Sequence, residues 1–349
     1  MSEGGAGSAG RRPTMRDVAR AAGVSPTSVS FVLNGRRDAR IAAHTRERIM
    51  AAADELGFRP NLTARQLRLQ QTHTIGMLTD GIASSPFAGP IVRAVHDVAW
   101  TGRRLVFVVN TDGNPEVEKT AVLELLDRRA DGLIFATVFA REVVVPPEMS
   151  AAPAVLINCF PHPDSTQLPA IVPAERYGGA LAAQCLIDAG HRDIHYLAGD
   201  EQVWATQERT TAFRERMTLA GAPVDSGTIS YGDYTIDSGY DRAITLLRGE
   251  DRPTALLCGN DRIALGALLA GQSLGLDIPG DLSLVGYDDQ EELADRIRPL
   301  LTTVGLPHYR LGELGMQTLL AIVEGSDVPP RQEVRGELVE RSSVAPPRQ

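Results

Sequence analysis

The sequence predicts a small all-α head at the N-terminus, followed by a large α/β body of two lobes with parallel sheets. Helical patterns run from Thr14 to Arg68, whereas short β-branched strands alternate with longer amphipathic helices after Thr72. That alternation is typical of parallel sheets covered by helices on both faces. About ten such units are more than one open sheet holds comfortably, so we expect two similar lobes with a cleft between them.

Composition and charge agree with this division. The chain has 349 residues, 43% of them hydrophobic and 23% charged, which suits two or three packed units. Residues 1–72 contain twelve Arg and six Asp or Glu, a net charge of +6, so the other 277 residues sum to -15. A basic head on an acidic body suggests that only the head approaches a polyanion. Solvated charged helices would give the same totals.

Several other classes of protein are excluded. No apolar run reaches the roughly 20 residues of a membrane span, and the first residues lack the apolar segment of a secretory signal, so we expect a cytoplasmic protein. Cys159, Cys185 and Cys258 have no paired spacing and are expected to be buried thiols. The seven histidines show no metal-ligand spacing, and no phosphate-binding glycine motif occurs. We therefore expect no metal, no cofactor and no catalytic residues.

The first two helices of the head are short and joined by a tight turn. Thr14 precedes MRDVARAA, where its hydroxyl is expected to cap the helix and Asp17 to complement the helix dipole. Gly23 ends this helix, and Ser25 with Pro26 begins the next one. Helices joined by so short a turn cross steeply, which is the geometry of a helix-turn-helix.

A third helix completes the head. The second helix is expected to run to about Asn34, and a third, at 46–56, to be capped by Thr45 and closed by Gly57. Small three-helix units also serve as protein-binding modules, and the spacing alone leaves both uses open. The apolar stripe that would close a three-helix core consists of Ile49, Ala52, Ala53 and Leu56.

Two segments carry a resemblance to a known family. The run TMRDVARAAGVSPTSVSFVLNG resembles the DNA-binding head of the lactose repressor and galactose repressor family, and GFRPNLTARQL resembles its hinge segment. The body follows in the family's order and also resembles periplasmic sugar-binding proteins. The resemblance covers nearly all of the chain after residue 13. It implies a sequence-specific DNA-binding repressor whose operator affinity depends on a small-molecule effector in the cleft.

The resemblance implies a role for each matching residue of the head. Pro26, Thr27 and Phe31 fall where the family's recognition helix reads base edges. The family more commonly has Arg or His in place of Phe31. An aromatic ring cannot make the bidentate hydrogen bonds by which Arg reads guanine, though it can pack on a thymine methyl. Phosphate contacts are implied for Ser25, Ser28, Ser30 and Asn34, and further DNA contacts for Thr14 and Ala64.

The hinge segment is interpreted as a short helix that orders on DNA. Asn61 is expected to cap it, and Leu67 matches the leucine that the family inserts into the minor groove. A helix of about eight residues is marginal alone, so a plain linker in the free protein stays an alternative. Pairing of two hinges implies a homodimer bound to double-stranded operator DNA. The expected boundaries are a disordered tail at 1–13, a helix-turn-helix domain at 14–59, a hinge at 60–72 and a two-lobed effector-binding and dimerisation domain at 73–349.

Candidate effector contacts lie at the ends of the body's strands, because ligands bind at the carboxyl ends of parallel strands. Arg, Asn and Asp offer donors and acceptors to hydroxyl groups, and an aromatic ring offers a face to a sugar. Arg209 is expected to be the first residue of its helix. For Asn260 the alternative to effector binding is a helix cap, and for Asp288 it is a position in a turn. The contacts implied by the resemblance are Ser85, Phe87, Asn158, Arg209, Tyr234, Asn260 and Asp288.

The sequence departs from the family at two places in the cleft, so it predicts the effector only as a sugar or related metabolite. Asn158 stands where the family often has an acidic residue, and Pro173-Ala174 replaces its usual Asp-Asn. Trp204 is interpreted as either a cleft or a core aromatic, and Tyr309 is expected to lie in the core.

Two other functions fit part of the sequence. A solute-binding protein feeding a transporter would explain residues 74–340, but not the head or the missing signal. A carbohydrate-processing enzyme would need a paired carboxylate site, and the adjacent Asp200 and Glu201 are expected to face water instead. The tail ERSSVAPPRQ has no leucine heptad, which favours a dimer over a tetramer. An inducer and a co-repressor would use the same cleft.

Overall fold

The computed structural model of the protein describes residues 13–33, 41–58, 72–82, 88–222, 224–249 and 251–348. The chain divides into two compact units, Met1–Gln71 and Thr72–Gln349. Most of the expected tail and hinge lie outside the described residues. The same holds for the predicted contacts Asn34, Asn61, Ala64, Leu67, Ser85 and Phe87.

The described part of the first unit contains three helices, α1 (Met15–Ala22), α2 (Pro26–Leu33) and α3 (Ala43–Glu55). Thr14 caps α1 as predicted, in a reciprocal arrangement in which its hydroxyl accepts from the Asp17 amide and the Asp17 carboxylate accepts from the Thr14 amide at 2.9 Å. Gly23 then adopts the left-handed conformation that ends the helix, with φ of 59°.

The third helix begins earlier than predicted. It starts at Ala43, after Ala42, and no side chain caps it. The prediction of Thr45 as its cap was therefore wrong, because alanines are strong helix formers and extend the helix past the polar residue. Leu56 was expected in the core and is 37% exposed, since the helix ends at Glu55 and the chain turns away.

The core of the first unit is small and closely packed. Its residues come from all three helices, and their short side chains allow a tight helix crossing. The Arg48 side chain of α3 also donates to the carbonyl of Ala22 at 2.8 Å, which ties α3 to the end of α1. The buried members are Val18, Ala19, Ala22, Val29, Val32, Ile49, Ala52 and Ala53.

The second unit is built on two six-stranded sheets, one in each lobe. The lobe-one sheet has the order β11-β5-β4-β3-β1-β2, and all its paired strands are parallel. The lobe-two sheet has the order β12-β10-β9-β8-β6-β7, and only β12 is antiparallel to its neighbour. The strands are β1 (Thr74–Thr79), β2 (Leu105–Asn110), β3 (Gly132–Val143), β4 (Ala154–Pro161), β5 (Ala170–Pro173), β6 (Ile194–Leu197), β7 (Ile229–Ser230), β8 (Ala255–Cys258), β9 (Ser283–Asp288), β10 (Thr302–Gly305), β11 (Arg331–Val334) and β12 (Glu337–Val339).

Helices cover both sheets. Among the described residues, three helices pack in lobe one and four in lobe two, as expected for parallel sheets that must bury both faces. None of the described helices is long and apolar enough to cross a membrane. Those of the body are α4 (Gly89–Thr101), α5 (Pro115–Asp127), α6 (Glu175–Asp188), α7 (Trp204–Leu219), α8 (Ile236–Leu247), α9 (Asp261–Ser273) and α10 (His308–Val323).

Two predictions about the body helices were wrong. Arg209 does not open a helix but lies inside α7, which begins at Trp204 after the extended Val203. Tyr309 is not a core residue. It is 41% exposed, and its hydroxyl donates to Asp97 at 3.0 Å, so its polar end is satisfied at the surface.

The chain passes between the lobes three times. The crossings follow β5, β10 and β11, and they lead into α6, α10 and β12 respectively. They lie side by side, because the Ala174 amide donates to the Val334 carbonyl at 2.8 Å and a side chain on Gly336 would collide with the carbonyl of Gly305. Lobe motion must therefore bend three adjacent segments together.

Candidate functional site

Residues from both lobes line one cavity of about 20 Å³. Four of the predicted effector contacts meet there: Asn158 from lobe one, and Arg209, Tyr234 and Asp288 from lobe two. Asn260 lies beside them, since its side chain donates to the carbonyl of Tyr234 at 3.2 Å. The complete lining consists of Val138, Phe139, Ala140, Asn158, Glu175, Ala205, Arg209, Tyr234, Asp288 and Leu306.

A buried ion pair forms the floor of the cleft. Arg209 donates through Nε and Nη2 to the two carboxylate oxygens of Glu175, at 2.6 and 2.9 Å, and through Nη1 to the carbonyl of Gly259 at 2.9 Å. The guanidinium carbon lies 3.6 Å from the centre of the Tyr287 ring, and the Tyr287 hydroxyl donates to Glu175 at 3.0 Å. Such bidentate, charge-assisted bonds are short and geometrically specific.

Arg209 stays charged despite its burial. Burial alone would lower its pKa, but the carboxylate of Glu175 outweighs this and raises the pKa well above the usual value. Three of the five guanidinium N–H groups are used by Glu175 and Gly259, which leaves two as donors for a ligand.

Asp288 brings a second ionisable group to the cavity. Burial raises the pKa of its carboxyl well above 3.8, and the nearby Arg209 offsets only part of this effect. Carboxyl oxygens accept hydrogen bonds, which suits the hydroxyl group of a polyol.

The backbone is strained at three residues in or next to strands β4 and β9. Asn158, Asp288 and Asp289 have φ values of 58°, 110° and 50°, in the region that favours glycine. Each such residue costs on the order of 1–3 kcal/mol, and such strain clusters at functional sites.

Asn158 holds a wide bulge in lobe one. The β3–β4 register runs to Ala136 opposite Ile157 and resumes at Arg141 opposite Cys159, so four residues of β3 face the single residue Asn158. The Asn158 amide donates to the carbonyls of Thr137 and Val138, at 2.8 and 3.0 Å. Its side-chain amide is therefore committed to the bulge.

Asn260 and Tyr234 are fixed by one another. The Asn260 side-chain oxygen accepts from the Ile263 amide at 2.8 Å and so caps α9, while its amide holds the loop of Tyr234. The Tyr234 hydroxyl is hydrogen bonded to Thr206. The capping role that the sequence left open is thus present, and it positions a cleft residue.

Two important cleft residues had no clear signal in the sequence. Neither Glu175 nor Phe139 is among the candidate contacts predicted from the sequence. Their roles depend on partners far along the chain, Arg209 and Tyr234. Only the tertiary structure brings them together.

The exposed face of α2 carries the predicted DNA contacts that the structure describes. Ser25, Pro26 and Thr27 are exposed at the start of the helix, and Ser28, Ser30 and Phe31 are half-buried, whereas Val29 and Val32 are buried against α1 and α3. Ser25 caps the helix by accepting from the Ser28 amide at 3.1 Å. The polar face of α2 is thereby presented outward.

The part of the chain that the structure describes contains no group of three His, Cys, Asp or Glu side chains placed to hold a metal ion. Cys159, Cys185 and Cys258 are free; Cys159 and Cys258 are buried as predicted, whereas Cys185 is only partly buried, so the prediction was wrong for that residue. Asp200 and Glu201 are both exposed, so they form no carboxylate pair in a cleft.

Comparison with known proteins identifies both parts of the chain. Residues 14–61 match the model of bacterial regulatory proteins of the lacI family, and residues 183–344 match a periplasmic binding protein-like domain. The HTH-type transcriptional repressor PurR of Vibrio parahaemolyticus is 34% identical over 336 residues, which make up 95% of this chain and 98% of the relative.

Two solved structures are similar over nearly the whole chain. The lac repressor dimer bound to operator and the anti-inducer ONPF superimposes with a TM-score of 0.78 at 30% identity, covering 96% of this chain and all of that one. A complex of the transcriptional regulator CelR with cellobiose gives a TM-score of 0.66 at 27% identity, covering 95% of this chain and all of that one. The chain therefore belongs to the lacI family of bacterial regulatory proteins and is a DNA-binding transcriptional repressor.

Proposed function

We propose that the protein is a homodimeric repressor whose affinity for a roughly palindromic operator is set by a small molecule, of the carbohydrate class, bound between the lobes of its body. The observation that carries this proposal is a cavity lined by polar residues of both lobes. A ligand that contacts both lobes binds one lobe orientation better than another, and it shifts the population towards that orientation.

The chemistry of the cleft supports a hydroxyl-bearing ligand. Arg209 has two N–H groups to donate, Asp288 has carboxyl oxygens, and Tyr234 offers a ring face. The solved complex of CelR, which is similar over 95% of this chain, contains cellobiose. Ser85 and Phe87, which lie outside the described residues, stay proposed contacts from the resemblance.

The surface of lobe one supports a dimer. Strand β2 lies at the edge of its sheet, and its side chains Leu105, Phe107 and Val108 are 53%, 47% and 38% exposed. Val117 and Leu123 of the neighbouring α5 are also exposed. An apolar edge strand left in water invites pairing with other chains, and a second copy would cover it. The similar lac repressor was solved as a dimer on operator DNA.

The DNA side of the proposal rests on the head and the hinge. The polar face of α2 is proposed to lie in the major groove, with Pro26, Thr27 and Phe31 at base edges, and Leu67 is proposed to enter the minor groove.

Recovery of bound duplexes from a random library with the full chain should yield a palindromic sequence. Leu67→Gly should bind that sequence at least tenfold more weakly, because the kink would be lost; recovery of no preferred sequence would contradict the proposal.

The ligand side is tested by a thermal-shift screen of the full chain against sugars, nucleosides and their phosphates, followed by operator binding with each compound that raises the melting temperature. We expect a sugar to stabilise the protein and to change operator affinity. Arg209→Lys removes the bidentate fork while keeping the positive charge, so it should abolish that shift. If a sugar raised the melting temperature of the Arg209→Lys variant as much as that of the parent, Arg209 would not be a ligand contact.

A further inference from the structure

Two aromatic contacts join the lobes across the cleft. Phe139 of lobe one stacks on Tyr234 of lobe two, with ring centres 5.6 Å apart and planes inclined by 21°. Phe160 of lobe one meets Trp204 of lobe two in an edge contact at 5.1 Å. The guanidinium of Arg331 lies 4.8 Å from the Phe160 ring centre and 5.3 Å from that of Trp204, so a cation covers the second contact.

The backbone brings Phe139 into the cleft. It lies in the four-residue bulge that faces Asn158. The bulge is anchored from a third strand, because Asp80 after β1 accepts from the Val138 amide at 2.9 Å and from the Arg141 side chain at 3.0 Å. Hydrogen bonds fix the bulge on both sides, and the bulge places the Phe139 ring against Tyr234.

The space that remains around Phe139 is small. A cavity of about 20 Å³ has room for about one water molecule. A ring inserted between Phe139 and Tyr234 would need ring centres about 7–8 Å apart, twice the ordinary contact distance between carbon atoms, whereas they are 5.6 Å apart. A ligand the size of a sugar therefore fits against Tyr234 only if Phe139 moves away or the lobes separate.

We propose that Phe139 is the entry residue of the cleft: it covers the face of Tyr234 and, together with the Phe160–Trp204 contact, holds the two lobes closed. This inference deepens the proposed function and rests on it for the identity of the cleft as an effector site. Entry of an effector then breaks the Phe139–Tyr234 contact, so the strength of that contact helps to set the ligand affinity.

The chain contains its own reporter for this proposal. It has two tryptophans, Trp100 and Trp204, so a Trp100→Phe background leaves only Trp204 at the cleft. Phe139 stacks on Tyr234, whereas Trp204 meets Phe160. A change in Trp204 accessibility after substitution of Phe139 therefore reports separation of the lobes.

The experiment is acrylamide quenching of Trp204 fluorescence in the full chain, with no small molecule added. Phe139→Ala should lower the ratio of closed to open molecules about three- to tenfold, the contribution of an aromatic pair of this kind, and should raise the quenching constant with a red-shifted emission. Phe139→Leu, which keeps apolar bulk without the ring, should fall between the parent and the Ala variant. Val144→Ala, at an exposed apolar residue just after β3, is the control and should leave quenching unchanged.

Equal quenching of Trp204 in the parent, the Phe139→Ala and the Phe139→Leu proteins would overturn the inference. The same variants are tested separately for binding to the operator recovered from the random library. If Trp204 becomes accessible while operator affinity is unchanged, Phe139 does hold the lobes closed, and the proposed coupling between cleft and DNA is what fails.

Discussion

At the level of single residues, the charge of Arg209 is balanced inside the protein. Glu175 and Arg209 are 34 positions apart in the chain, and their side chains are only 1% and 6% exposed. Taking two charges out of water is costly, and their attraction repays it only with good geometry and further hydrogen bonds. Tyr287 and the carbonyl of Gly259 provide those bonds.

Removing one partner of this pair should destabilise the body strongly. Glu175→Ala leaves a buried guanidinium without its counter-ion, and we expect a loss of about 3–5 kcal/mol in the free energy of unfolding, measured by urea denaturation. The control is Glu215→Ala, which breaks the half-exposed pair with Arg176 and should cost less than about 1 kcal/mol. Similar losses in the two variants would show that burial of the Arg209 pair does not determine its effect.

Asp261 should make stability depend on pH. It is fully buried, its carboxylate oxygens accept from Thr303 at 2.6 Å and from the Gln290 amide at 2.7 Å, and burial raises its pKa to about 7. A carboxyl whose pKa is higher in the folded than in the unfolded protein stabilises below the unfolded value of 3.8, and this stabilisation is lost as pH rises to about 7.

The Asp261→Asn variant isolates this contribution from other titrating groups, because its amide mimics the neutral carboxyl. The free energy of unfolding of the parent minus that of the variant should fall between pH 4 and pH 7, by on the order of a few kcal/mol, and should stay level above pH 8. Urea denaturation across this range measures it, and a difference that does not change with pH would show that Asp261 keeps an ordinary pKa.

At the level of elements, the sequence predicted most strands and helices but not all of their ends. The alternation of β-branched runs with amphipathic segments after Thr72 predicted the α/β body, because β-branched residues favour strands. The starts of α3 and α7 were placed too late, since each begins without a polar cap at Ala42 or Val203. Four of the five described effector candidates line the cavity, and Asn260 supports it. The roles of Glu175 and Phe139 in the cleft could not be predicted, because they depend on contacts with residues far along the chain that no local sequence pattern encodes.

The contact between α6 and α7 depends on a glycine. A side-chain carbon on Gly179 would lie 2.7 Å from Arg209 Cα and 3.0 Å from its carbonyl oxygen. Because these are backbone atoms, Gly179→Ala must push the helices apart, and we expect a loss of about 1–3 kcal/mol in the free energy of unfolding. Gly89→Ala, at the start of α4 with no atom nearby, should be nearly neutral in the same thermal or urea unfolding experiment. Equal behaviour of the two would contradict this packing.

At the level of the whole molecule, the proposed dimer should depend on the edge strand of lobe one. Phe107→Asp places a charge on the exposed apolar face of β2, where an interface core would exclude it. We expect the protein to become monomeric in sedimentation velocity and to lose operator affinity, since one head reads half a site. Leu219→Asp, at a residue 79% exposed on α7 of lobe two, should leave the dimer intact. A dimeric Phe107→Asp protein would place the interface elsewhere.

The threefold passage of the chain between the lobes has a consequence for how the body can be divided. Lobe one is assembled from two separate stretches of chain, the second of which, with α10 and β11, comes after every strand of lobe two except β12. Neither half can be excised as one continuous fragment. A protease that cut a single connection would still leave the halves tied by the other two, so nicked protein should keep its mass under native conditions and fall apart only in denaturant.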